Sequence, residues 1–369
     1  MRVQVVDPSA YTPPYDHSLC AALAAAGAAV ELVTSAFAYG AAPAPDGYVV
    51  RECFYRHAIG APGSKLRLAS KTLEHAPDML AYRSVAATAD VVHFQWLAVQ
   101  AVDRFLLPRR PTVLTAHDLL PREPRPGQVR AQRRLYDAVD AVIAHSEYGR
   151  DRLIERLGVD AAKVRVIHHG AFDYLTRATG ELPAELGSPA GLVVLFFGLL
   201  RPYKGIAALL DAWRSLSDLR DEAELWIVGR PRMALEPLLD RAPAGVRWVP
   251  RFVADSELAA CFRRADVVVL PYLETDRFDF SGVLATALAF GKPAVVADVG
   301  GFTELAEAGA ARLVPAGDPE ALADALRVLL SDPDARERLA QGARAAAAGA
   351  YSWSAAAHQT LALYRDLAG

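Results

Sequence analysis

Cysteine is scarce in this 369-residue chain. Cys20, Cys53 and Cys261 lie far apart, without CxxC spacing or a companion histidine pattern, so neither a disulfide framework nor a zinc site is expected and a reducing compartment fits. Long apolar runs are missing as well. The opening MRVQVVDPS meets an aspartate and a proline too soon to serve as a secretory leader, and no run approaches the ~18 apolar residues that cross a bilayer. A cytoplasmic protein is expected, with peripheral contact at the inner face of the membrane left open. The net charge of −3 supplies no global pull towards nucleic acid. No GxGxxG follows the first apolar run, where DPSAYTPPYD stands instead, which speaks against a nicotinamide-dependent oxidoreductase. The Asp-x-Asp formed by Asp332 and Asp334, in LLSDPDARERL, reads as a helix stop followed by a cap and a proline start, so no metal is expected.

What is abundant is alternation. Short β-branched runs (VQVV, VELVT, DVVHF, PTVLTA, AVIAH, VRVIH) and then a second series (LVVLFF, ELWIV, VRWV, DVVVL, PAVVA, ARLV) are separated by Ala- and Leu-rich segments. That is the pattern of βαβ units, and the length favours two α/β domains with parallel sheets. Between the series, YLTRATGELPAELGSPAG (174–191) lacks strand runs and is rich in Gly and Pro. The domains are therefore expected at 1–185 and 186–350, with a terminal helix at 351–369 crossing back to the first.

In parallel sheets of this kind, ligands sit beyond the carboxyl ends of the strands. Three such places stand out. GLLRPYKG (198–205) leaves the LVVLFF strand through Gly198, offers Arg201 and Lys204, and closes on Gly205. Two cations there could grip a diphosphate or form an ordinary charged turn. In DFSGVLATALAFGKPAVVADVGGFTEL, Ser281 is an N-cap candidate, and the N–H groups of Gly282 and Val283 would face an anion at the start of a helix. In the first half, Tyr11, Tyr15, Asp16 and His17 follow the first strand, His93 and Trp96 close the third, and His117 follows the fourth. These residues suit a polar hydroxyl-bearing ligand, although loop and core roles compete. Basic stretches at 104–111 and 121–134 could draw an anionic acceptor or a membrane surface, against the plainer reading of a solvated face.

The ordered set FFGLLRPYKG, ELWIVGRP, ADVVVLPY, SGVLATALAFGKPAVVADVGGFTEL and YSWS, with DVVHFQW, TAHDLLP, AHSEYGRDRL and VRVIHHGAFD before it, resembles the retaining glycosyltransferases of the GT-B fold, family 4 in particular. The resemblance covers nearly the whole chain. It implies two Rossmann-like domains facing a cleft, no cofactor, a nucleoside-diphosphate sugar as co-substrate bound mainly by the second domain, and a hydroxyl acceptor (lipid, glycan or natural product) bound mainly by the first. By the same resemblance, Arg201 and Lys204 hold the diphosphate and Ser281, Gly282 and Val283 form the phosphate-binding turn. Gly229, Arg230, Arg251, Phe252 and Val253 surround the base, while His117 lies beside the transferred sugar and Glu304 closes the site.

Two departures accompany this match. Phe278 and Thr286 stand where the family carries a glutamate pair, and Leu199 replaces an arginine whose role Arg201 would assume. Thr286 can still bond a hydroxyl but supplies no carboxylate. The expected activity is sugar transfer with retention and without metal. The alternatives are a nucleotide-sugar epimerase of the same fold and a non-catalytic nucleotide-sugar binding protein.

Overall fold

The computed structural model describes every residue except 39, 41, 122, 123, 220 and 276–278. The chain divides into two compact units. Met1–Gly170 is joined by Asp279 and Trp353–Gly369, and Ala171–Thr275 is joined by Phe280–Ser352.

In the first unit the β-branched runs become β1 (Arg2–Asp7), β2 (Ala29–Thr34), β3 (Val49–Glu52), β4 (Val91–Phe94), β5 (Thr112–Thr115), β6 (Ala141–Ala144) and β7 (Val164–Val166). They form one sheet in the order β3-β2-β1-β4-β5-β6-β7, and every pairing is parallel. β4, β5 and β6 are buried at every residue, which is why they read as continuous apolar runs and not as alternation. β3 escaped the strand pattern. Its VVRE sequence is short, largely exposed and paired with β2 alone, so no burial demand writes an apolar run there.

The second unit repeats the plan with β8 (Leu192–Phe197), β9 (Ala223–Val228), β10 (Val246–Val249), β11 (Val267–Leu270), β12 (Ala294–Ala297) and β13 (Arg312–Val314), ordered β10-β9-β8-β11-β12-β13 and again all parallel. Val194, Phe196, Leu225 and Val269 pack with Leu209 and Trp213 of the helix Ile206–Ser215 to form one core of this unit. Each fully buried side chain of this size contributes about 1.5–3 kcal/mol. The order reverses between β1 and β4 in one sheet and between β8 and β11 in the other, and at such a point two loops part and leave a crevice at the strand ends.

The division falls at Gly170 and Ala171, not near 185 as the glycine and proline content suggested. The segment after 170 is tied to the second unit by burial: Leu175 and Leu186 are core residues, and Glu185 pairs with Arg251. The helix Trp353–Ala368 belongs to the first unit, where it packs on the helix Pro13–Ala25 and places the Tyr364 hydroxyl 2.6 Å from His93 Nδ1.

Candidate active site

In the second unit the GLLRPYKG turn is folded tightly over the strand ends. Gly198 has φ +109°, and a methyl group placed on it would come 2.8 Å from Lys204 Nζ and 3.1 Å from Val283 Cγ2. The Lys204 ammonium and the first turn of the helix Gly282–Ala289 therefore flank the same point. Gly205, at φ +70°, brings its Cα so close to Pro271 that a Cβ would meet that carbonyl at 1.8 Å. Pro202–Lys204 form a single 3-10 turn, with half-buried Arg201 extended at its head. The turn is also stitched to the end of β9: Leu200 N–H donates to the Arg230 carbonyl at 3.0 Å, and Arg232 N–H to the Leu200 carbonyl at 2.9 Å.

Lys204 is 6% exposed, with its ammonium 5.1 Å from the centre of the Tyr272 ring. The Tyr272 hydroxyl lies 3.2 Å from Ser281 Oγ. Ser281 occupies the N-cap position as expected, but its hydroxyl makes no cap bond. The first-turn N–H groups are thus presented to a ligand without competition from that side chain. Half-buried Glu304 follows in the first turn of Phe302–Glu307, after the Gly300–Gly301 bend. Among the described residues, no three His, Cys, Asp or Glu side chains are grouped as metal ligands would be, and Asp332 caps Pro333–Ala348 through the N–H groups of Asp334 and Ala335.

The first unit gathers rings at the carboxyl ends of β4 to β7. Trp96 stacks on His117 (centroids 5.0 Å, 15°) and also meets the Tyr11 ring at 4.6 Å. Trp96 Nε1–H donates to Thr12 Oγ1 at 2.8 Å, fixing the indole. Behind His117 stand Tyr15, His145 and His169. Burial holds the His145 imidazole down at about 4 and those of His93 and His169 at about 3. His117 is held well below its ordinary value, first by desolvation and then by the neighbouring imidazoles.

Neutrality fixes the protons. His145 Nδ1 faces the Ile167 carbonyl at 3.0 Å and must donate, so its Nε2 is a lone pair; that lone pair faces His117 Nδ1 at 3.4 Å, which must donate in turn. His117 Nε2 is then an acceptor. Gln95 Oε1 lies 3.0 Å from it, while buried Gln95 Nε2 has no protein partner. A half-turn of that amide brings the two together.

A sequence profile described as Glycosyltransferase Family 4 matches residues 15–171, and one described as Glycosyl transferases group 1 matches residues 191–332. The D-inositol 3-phosphate glycosyltransferase of Nocardioides sp. is 31% identical over 93% of this chain and 82% of its own length. The chain belongs to glycosyltransferase family 4. The phosphatidyl-myo-inositol mannosyltransferase of Mycobacterium leprae is 38% identical over 61% of this chain and 59% of that protein. Among solved structures, Anabaena HepE in complex with UDP-glucose superposes with a TM-score of 0.73 at 21% identity, covering 99% of this chain and all of that one, and shares the GT-B fold of two Rossmann-like domains.

Several residues expected to touch ligands in this glycosyltransferase do other work. Tyr15 is buried against His117, His169 and Trp353, so it supports the site from behind. Asp16 is buried beside Asp7. Desolvation and the neighbouring carboxylate raise it well above its ordinary value, so it holds a proton shared with Asp7, which accepts the N–H groups of Ser9, Tyr11 and Thr12. His93 is fully buried between Tyr364 and Thr115 Oγ1, a strut to the last helix with no face for an acceptor. His17 meets the Tyr48 hydroxyl at 2.5 Å and borders a cavity of about 200 Å³. Arg251 is clamped between Glu185 at 2.8 Å and Glu257 at 2.7 Å, whose two carboxylates raise its pKa further. Val253 is buried, which leaves Phe252, 64% exposed, as the ring this stretch presents. Thr286 is buried and its hydroxyl donates back to the Gly282 carbonyl at 2.8 Å, so that proton is spent inside the helix. Gly229 follows the end of β9, and exposed Arg230 comes after it. Phe278 lies outside the described residues.

The sequence reading missed Tyr272 and Asp279. Asp279 accepts His145 N–H at 2.6 Å and the Ser146 hydroxyl, pinning the end of β6. A carboxyl beside an N-cap candidate, in DFSGV, carried no signal of so distant a partner.

Proposed function

We propose that this glycosyltransferase moves a hexosyl group from a nucleoside-diphosphate sugar to a hydroxyl acceptor, with retention and with protein cations in place of a metal. One observation carries the reading: buried Lys204 and the uncapped start of Gly282–Ala289 flank one point at the end of β8. In the reaction, the bond between the anomeric carbon and the phosphate oxygen breaks and its electron pair stays on the diphosphate. The bond to the acceptor oxygen forms on the same face, and the acceptor proton passes to the departing phosphate. Charge grows on the diphosphate, where Lys204, Arg201 and the helix N–H groups stabilise it without reorganising. Losing one such group costs on the order of 3–4 kcal/mol, or about 100- to 1000-fold in rate.

Phe252 offers a ring for the base, and UDP-glucose in a protein of the same fold makes uridine the first base to try. In the first unit, Trp96 and Tyr11 offer ring faces to a sugar or acceptor beside neutral His117, whose Nε2 lone pair is taken by the Gln95 amide. Two relatives are named for inositol substrates, so a phosphorylated cyclitol, free or in a lipid, is the first acceptor class to test.

The deciding experiment is a thermal-shift panel of uridine, guanosine, adenosine and thymidine diphosphate sugars. At least one should raise the melting temperature, and Lys204→Ala should largely abolish the shift. An undiminished shift in Lys204→Ala removes the phosphate role. Recovery of an epimerised donor from incubation without acceptor would replace transfer with epimerisation.

A further inference from the structure

The helix Lys65–Ala86 buries His75, Met79, Tyr82 and Ala86 against the first unit. Its opposite side should be polar, because an outward-facing helical stripe gains nothing by being apolar. It is not. Leu66, Leu73 and Leu80 recur every seven residues and are 56%, 79% and 50% exposed. Seven residues return to within about 20° of the same direction, so the three leucines form one stripe, about 21 Å long at 1.5 Å per residue. Further exposed apolar side chains adjoin it. Ile59 is held to the helix through Ser70, whose hydroxyl accepts its N–H at 3.2 Å. Phe105 is held near the far end by Arg83, which donates to the carbonyls of Phe105 at 2.9 Å and Leu107 at 3.1 Å. Both are more than half exposed.

The stretch that carries this stripe is net positive. Residues 56–110 hold eight Lys and Arg against four Asp and Glu, although the whole chain is net −3. Each of the four acids accepts a backbone N–H: Glu74 from His57, Asp78 from Tyr55, Asp90 from Arg2 and Asp103 from Val99. Lys65 stands at one end of the stripe. At the other, the Arg104 guanidinium rests 4.1 Å from the Phe105 ring, and Arg109 is exposed nearby in sequence.

We propose that this face docks on an anionic phospholipid bilayer, with the leucines and Phe105 entering the headgroup boundary and the cations meeting lipid phosphates. Charge selects this occupant over a second copy of the chain. Two-fold pairing of the face would set its cations against their own kind, whereas an anionic surface is complementary. The inference is independent of the donor reading.

Co-sedimentation of the full chain with phosphatidylcholine vesicles, with and without phosphatidylglycerol, tests it. Binding is expected with phosphatidylglycerol and should weaken with salt. Leu73→Gln with Leu80→Gln, and separately Lys65→Glu with Arg109→Glu, should each weaken binding roughly tenfold or more, as expected when apolar insertion and charge both contribute. Because these side chains face outward, the melting temperature should stay as in the wild type. Absence of binding to either vesicle, or variants that bind as the wild type does, would overturn the proposal. So would a dimer in solution that Leu73→Gln dissociates, which would assign the face to a second copy.

Discussion

At the carboxyl ends of β4 to β7 the first unit sets four neutral imidazoles among Tyr15, Trp96 and Trp353, and its buried carboxyl pair at the end of β1 shares a proton. At the ends of β8 and β11 the second unit sets a buried ammonium over a tyrosine ring, close backbone turns and a helix start. All nine histidines fall in the first unit and none in the second. The two sheets share one topology, so the contrast comes from what each loop carries. On the proposed reading, the first unit binds a polyhydroxyl through fixed donors and acceptors without net charge, and the second stabilises a leaving diphosphate through fixed positive charge.

The largest expected effect breaks this contrast with acid. An imidazole that reads about 3 or 4 in the folded chain and 6.5 in the unfolded one leaves stability intact above 6.5. As pH falls below that, the unfolded chain takes up protons that the folded chain refuses. At pH 5, His93, His145 and His169 should each cost about 2 kcal/mol, from roughly 1.5 units below 6.5 at 1.36 kcal/mol per unit. The raised Asp7 and Asp16 work the other way, since the proton they hold stabilises the fold increasingly as pH falls, but they are two groups against four. Hydrogen exchange from pH 7 to pH 5 should show first-unit amides losing protection before second-unit amides. Equal loss in both would show that the histidine cluster does not set acid stability.

Next comes the backbone of the second site. Gly198→Ala places a methyl 2.8 Å from Lys204 Nζ at a φ of +109°. Strain of this kind costs about 1–3 kcal/mol. Displacing the ammonium should also weaken nucleoside-diphosphate binding roughly tenfold, equivalent to about 1.4 kcal/mol. Calorimetric titration with unchanged affinity would show that Lys204 does not have to stand where it does.

Most of the fold was legible because burial writes it. Twelve strand runs appear where their apolar residues demand, and the exposed edge strand β3 was missed because burial makes no demand there. The site was legible where a conformation requires a residue type, as with Gly198 and Gly205 around Lys204. It was less so where a side chain's role depends on a partner remote in sequence. His93 reads as an acceptor contact until Tyr364, 271 residues away, takes its Nδ1. Asp16 reads as an available acid until Asp7 is found beside it.

Arg251 shows the same effect and gives the smallest prediction. A cation after a strand end, in the region the resemblance assigns to the base, is read as a ligand contact. In the structure its planar fork is filled by Glu185 and Glu257, which fastens the segment after 170 to the second unit. Exposed pairs of this kind contribute about 1 kcal/mol or less once solvent screening is counted. Arg251→Ala should therefore lower the melting temperature slightly and leave donor affinity unchanged, whereas Phe252→Ala should weaken the donor by the loss of a stacking face. If Arg251→Ala instead weakened donor binding tenfold with little change in stability, the guanidinium would have to leave its carboxylates for the base when the donor binds, and the two units' sites would differ less in adaptability than in charge.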